Sequence, residues 1–153
     1  IGVDARISEA PTGVAELYKS EDLQEVLPRG DFVIVTVPET PSTQGMFGAA
    51  EFRLMKAGSF FINIGRGATV VLDDLNEALR NGELTGAGLD VFQIEPLPPE
   101  HPLWTAPGVI ITPHVAGEGP YLFERRTELF IENCKRFNEG RPLKNVVDKT
   151  NWF

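Results

Sequence analysis

One cysteine, Cys134, stands in the whole chain, and this excludes an internal disulfide. A lone thiol fits a reducing compartment, so a cytoplasmic protein is expected, with Cys134 as a small hydrophobe inside a helix core. Positive charge is scarce. The 14 Lys and Arg stand against 22 Asp and Glu, a net charge of −8. Nucleic acid demands a basic face and is excluded as a partner, whereas a small anion gripped by one or two arginines is not. No apolar run approaches the roughly 20 residues that span a membrane, and no signal-peptide pattern opens the chain. Only two histidines occur, His101 and His114, without zinc-ligand spacing, so no metal site is expected. A P-loop and a serine elbow are also missing.

What is present is a regular alternation. Short apolar runs, rich in β-branched residues, punctuate helical patterns along a chain of 153 residues, enough for one domain with a core. "IGVD", "VAELY", "DFVIVTVP", "SFFINIG", "GAGLDVF" and "PGVIITPH" predict six strands. Helices are expected over "SEDLQEVLP" with Ser20 as N-cap, over "GAAEFRLMKAG" closed by Gly58, over "LDDLNEALRNG" closed by Gly82, and from about Pro120 to Gly140. The strands are continuously apolar rather than alternating, the pattern of a parallel sheet covered on both faces. The fold class is therefore α/β, a doubly wound parallel sheet. The proline-rich "QIEPLPPEHPLWTAPG" must be a surface excursion, and residues 141–153 form a tail expected to dock against something.

In open parallel sheets, ligands bind beyond the carboxyl ends of the strands. Asp4 follows the first strand. Val37, Pro38, Thr40 and Thr43 follow the third, and Asn63, Gly65 and Arg66 the fourth. Asp90 and Glu95 follow the fifth, and His114 the sixth. Parallel strands crowd these groups onto one rim. Arginine, histidine and paired carboxylates make up an acid–base site for an anionic substrate. Each has a plainer reading: a turn arginine, a capping histidine, a structural acid. His101, in the proline-rich loop, is given no role. "GRGATV" is rejected as a dinucleotide fingerprint, because Val70 stands where the third glycine belongs and Arg66 where the pyrophosphate must approach.

"NIGRG", "GAGLDVFQIEPLPPEHPLW" and "ITPHVAG", in this order and spacing, resemble the D-isomer-specific 2-hydroxyacid dehydrogenases, as does "VTVPETPSTQGMFG". The resemblance implies a Rossmann fold and an NAD-dependent oxidoreductase acting on a small 2-hydroxy or 2-keto acid. Arg66 then matches the arginine that holds the substrate carboxylate. His114 matches the acid–base histidine and Glu95 its carboxylate partner, with Glu118 a competitor on spacing alone. Asp90 matches the acid that fixes the nicotinamide carboxamide. Asp4 matches the acid on the adenosine ribose, which favours NAD over NADP, although Arg6 softens that preference. Val37, Pro38, Ile64, Gly65 and Gly117 match cofactor-lining positions, shared with Arg66 and His114. Trp104 is expected to reach the substrate pocket. The family implies a homodimer, with Tyr121 and Phe123 as contributors.

The departure from the family is large. Its glycine-rich loop lies about 20 residues before the Asp4 position, and nothing in this sequence corresponds to it or to the first Rossmann strand. The chain opens inside a strand, with no methionine before it, and is expected to be part of a longer protein. Residues 1–140 would be an incomplete NAD-binding domain, and 141–153 a tail for a separate substrate domain. In the order 3-2-1-4-5-6 the central strand is the missing one. Its neighbours should expose unpaired backbone and apolar surface, leaving a chain that is inactive and not self-sufficient. The same family also implies an alternative, an NAD-sensing corepressor-like binding module.

Overall fold

Six short parallel strands form two separate sheets. The computed structural model describes residues 1–150. Strands β1 (Gly2–Val3) and β2 (Leu17–Tyr18) pair in parallel. Strands β3 (Phe32–Val35), β4 (Phe60–Asn63), β5 (Gly86–Leu89) and β6 (Val109–Ile111) form a four-stranded parallel sheet in chain order. Among the described residues no strand pairs with both β1 and β3, so the six strands stay in two sheets. The fold is α/β and incompletely Rossmann-like, as the sequence predicts. The last part of the expected tail, residues 151–153, lies outside the described residues. The chain divides into two compact units, Ile1–His114 and Val115–Phe153.

In the first unit the strand register sorts the side chains onto two faces. Val33, Phe61, Ala87 and Val109 lie in one row across the sheet, and Val35, Asn63, Leu89 and Ile111 in the next. This face is buried. Phe61 meets Phe47 and Phe52 at 5.1 and 5.2 Å between ring centres. Helix α2 (Ala49–Leu54) supplies Phe52, and helix α3 (Leu72–Arg80) supplies Leu75, Ala78 and Leu79 to the same core. The opposite face carries Phe32, Ile34, Phe60 and Ile110, which are 62, 58, 37 and 70% exposed. A sheet read as covered on both sides is thus covered on one.

Three local expectations need correction. The segment 20–29 is not one helix. It runs as a 3-10 turn from Ser20 to Asp22, one short α-helical turn, α1 (Leu23–Val26), and a second 3-10 turn ending at Arg29. Lys19, not Ser20, takes the N-cap position, and the Asp22 carboxylate accepts its backbone N–H; Pro28 has no N–H to extend a helical ladder. Helix α2 ends at Leu54, before Gly58, because Met55 turns to extended backbone and buries its side chain. Cys134 is exposed, not in a core.

The second unit explains that last point. Helix α4 (Leu122–Asn138) buries none of its residues. Its partner within the unit is the polar tail. Asn133 exchanges two hydrogen bonds with the Lys144 backbone, and Arg136 donates to the Pro142 carbonyl. Phe123, Phe130 and Phe137 stay exposed, at intervals of seven residues along one stripe of the helix.

The uncovered sheet face sets an expectation for residues 1–153 expressed by themselves. They should bind a hydrophobic dye such as ANS and melt without a sharp transition. A cooperative melt without dye binding contradicts this.

Candidate active site

The exit from β4 is built from buried polar groups. Asn63, 1% exposed, accepts the Gly65 N–H at 3.0 Å through Oδ1 and donates through Nδ2 to the Arg66 carbonyl at 3.1 Å. Thr69 is fully buried in the 3-10 turn Gly67–Thr69, and its hydroxyl donates to the same carbonyl at 2.6 Å. Gly65 is required by close approach. A Cβ there would lie 2.8 Å from the Val37 carbonyl oxygen. Gly67 is required more strictly, since its Cβ would fall 1.9 Å from the Phe92 carbonyl carbon. The Arg66 loop therefore lies directly on the Phe92–Gln93 peptide. Arg66 itself is exposed, and its Nη1 donates to the Gly65 carbonyl at 2.7 Å.

The segment after β5 holds the acids. Asp90 is buried and accepts a hydrogen bond from the Thr112 hydroxyl at 2.5 Å. The parallel register puts Leu89 beside Ile111, so the next residues, Asp90 and Thr112, meet at the sheet end. Glu95 is held from two sides. Its Oε1 accepts the Phe92 N–H at 2.9 Å, and its Oε2 lies 2.8 Å from His114 Nδ1. A carboxylate only accepts, so Nδ1 carries the proton in this pair and Nε2 is the nitrogen left to exchange one. The His114 bond and the Phe92 N–H, in that order, hold the Glu95 carboxyl below its ordinary value of 4.5; burial and the nearby Asp90 work against them. His114 sits at φ 56°, left-handed backbone that a non-glycine residue adopts at a cost.

Arg66, Glu95 and His114 line one cleft of about 320 Å³ with Glu39, Gln44, Gly67, Ala68, Phe92 and Gln93. Three residues named from separate strand ends therefore share one space. A cation and an imidazole–carboxylate pair around an open cleft can hold an anion and exchange a proton with it. Glu39, Gln44 and Gln93 were not singled out in the sequence; nothing in their local pattern marks them. Thr69 and Thr112 were missed too, though the parallel register of β5 and β6 was a usable signal for Thr112.

The remaining expected positions are spread out. Val37 and Gly65 touch through their backbones, while Pro38 and Ile64 are exposed. Asp4 ends β1 in the smaller sheet. Its Oδ1 accepts the backbone N–H groups of Arg6 at 2.7 Å and Ile7 at 3.0 Å, which lower its pKa. Gly117 falls in the second unit. Trp104 does not line the cleft; it is half exposed, with its indole N–H on the Pro98 carbonyl. His101 borders a neighbouring cavity of about 260 Å³ and accepts the Leu103 N–H.

The family profile described as "D-isomer specific 2-hydroxyacid dehydrogenase, NAD binding domain" matches residues 1–116. The chain belongs to this family. Among its dehydrogenase relatives, a glyoxylate/hydroxypyruvate reductase A from Photorhabdus laumondii is 35% identical over 94% of this chain and 45% of its own length. A glyoxylate/hydroxypyruvate reductase B from Escherichia fergusonii is 46% identical over 83% of this chain and 39% of its own length. The crystal structure of an NADPH-dependent glyoxylate/hydroxypyruvate reductase from Sinorhizobium meliloti, in complex with NADP and sulfate, superposes with a TM-score of 0.90 at 38% identity. That match covers 99% of this chain and 48% of the other. The chain thus spans less than half the length of each of these three proteins.

The Glu95–His114 bond makes a pH prediction. The Glu95 carboxyl titrates below 4.5, so its bond to His114 is intact above that value and is lost as pH falls through the lowered one. Carboxyl-carbon NMR should show the Glu95 midpoint rising in His114→Ala. An unchanged midpoint contradicts the assigned partner.

Proposed function

We propose that this chain is the catalytic half of the cofactor domain of a nicotinamide-dependent 2-keto acid reductase. The Arg66, Glu95 and His114 cleft is the observation that carries the reading. The donor set suits the cofactor. Asp90 offers a buried carboxylate to a carboxamide, and Asp4 offers acceptor oxygens to ribose hydroxyls at the end of β1. A nicotinamide cofactor, when bound, would supply the hydride to a substrate carbonyl carbon or receive it back.

The protein's own groups do the rest. Arg66 grips the substrate carboxylate with a planar, bidentate fork and directs the adjacent carbonyl into the cleft. His114, held by Glu95 through Nδ1, gives the proton on Nε2 to the carbonyl oxygen as the hydride arrives. In the reverse direction it takes that proton back. Glu95 orients the ring through its hydrogen bond to Nδ1. Glyoxylate and hydroxypyruvate, the substrates in the names of the relatives, are the acids to test first.

Asp4 opposes a 2′-phosphate and favours NAD, and Arg6 makes the preference a narrow one. A homodimer in the cytoplasm completes the proposal. The exposed Tyr121 and Phe123 provide apolar surface for the dimer, and the single free thiol fits the compartment.

In the intact enzyme, His114→Asn should lower kcat with glyoxylate or hydroxypyruvate by about 10² to 10⁴, with NADH still bound at saturating concentration. Undiminished turnover contradicts the assignment. If the intact wild-type protein binds NADH but reduces no 2-keto acid, the chain belongs to a cofactor-sensing binding module.

A further inference from the structure

We propose that Asn63 and Thr69 are positioning residues for the Arg66 guanidinium, acting through the Arg66 carbonyl. The inference rests on the reading of Arg66 as the carboxylate-binding group. Three donors converge on this one oxygen: the Thr69 hydroxyl at 2.6 Å, Asn63 Nδ2 at 3.1 Å and the Thr69 N–H at 3.2 Å. Asn63 Nδ2 also reaches the Thr69 hydroxyl at 3.3 Å, and Asn63 Oδ1 accepts the Gly65 N–H. Both side chains are 1% exposed or less.

Burying two polar side chains at the end of a hydrophobic strand is costly unless each is paired. Here all three of their side-chain heteroatoms are. Val35 and Leu89, which flank Asn63 in its row across the sheet, are apolar and buried, so core packing alone asks for an aliphatic residue there. The polar pair instead holds the Arg66–Gly67 peptide, which adjoins the Cα that bears the Arg66 side chain. A carbonyl has two lone pairs, and three donors saturate it, leaving the peptide little freedom to rotate. Arg66 itself is exposed and extended, at φ −141° and ψ 140°, with no helix or strand ladder of its own. Its guanidinium swings on whatever fixes that backbone. A fork that must meet a carboxylate with both nitrogens tolerates little misplacement.

The test uses the intact enzyme and oxalate, a dianionic mimic of a 2-keto acid. Thr69→Val keeps the volume and removes the hydroxyl donor. It should raise the keto-acid KM and the oxalate Kd about tenfold, leaving the NADH Kd unchanged. Thr69→Ser, which restores the hydroxyl, should return both to within about twofold of wild type. Asn63→Ser, with its donor shortened, should move them in the same direction as Thr69→Val, and it serves as the readout if Thr69→Val does not fold. Lowered thermal stability with keto-acid KM and oxalate Kd as in wild type overturns the inference, because a purely structural pair behaves so. Arg66→Lys separates the two levels. Oxalate affinity unchanged in Arg66→Lys defeats the reading of Arg66. Affinity lost in Arg66→Lys but kept in Thr69→Val and Asn63→Ser defeats this inference alone.

Discussion

The contact of Gly67 with the Phe92–Gln93 peptide is the constraint on which the site depends. Two chain segments that follow different strands are pressed together until no side-chain carbon fits between them. On one side the peptide of Gly67 continues into Arg66. On the other, the Phe92 N–H anchors Glu95, and Glu95 anchors His114. A single backbone contact therefore sets the spacing between the cation and the imidazole–carboxylate pair. Both segments are rooted in the same sheet, where β4 and β5 pair through four consecutive residues. The geometry is carried by the backbone pairing of β4 with β5, by the Gly67 contact and by the Glu95–His114 bond.

The two faces of that sheet have different duties. The covered face packs three phenylalanines and the helical leucines into one core. That core fixes β4 and β5, and through them the loops at their ends. The other face presents a row of large apolar side chains, including the stacked Phe32 and Phe60, with 5.3 Å between ring centres. Helix α4, within its own unit, likewise leaves a phenylalanine stripe uncovered. The chain spans less than half the length of the reductases named above.

Much of this was legible in the sequence. Continuously apolar runs gave the parallel strands, because both faces of each strand carry apolar side chains, although only one face of the sheet is covered. Reading off the polar residue after each run then named Arg66, Glu95 and His114, which line one cleft because parallel strands bring their carboxyl ends to one rim. Cys134 was misplaced because helix periodicity marks an apolar stripe but not whether anything covers it. The first helix fragmented around Pro28, where local backbone chemistry outweighed the acidic N-terminal turn. The supports of the site were the hardest to see. Thr69 and Thr112 carry no pattern of their own; a local turn sets Thr69 on the Arg66 carbonyl, and the β5–β6 register sets Thr112 on Asp90. Gln44 and Gln93 reach the cleft from loops whose course no periodicity predicts.

The account stands or falls on the close packing of the two segments. The most direct measurement is kcat/KM for the keto acid in the intact Gly67→Ala enzyme, with NADH affinity as the internal control. One methyl group at this position must displace the Arg66 loop from the Glu95 segment, and a shift of about 1 Å is enough to cost about a hundredfold in rate. The account predicts that loss with NADH binding retained. A Gly67→Ala enzyme that folds and turns over keto acid like the wild type would contradict it.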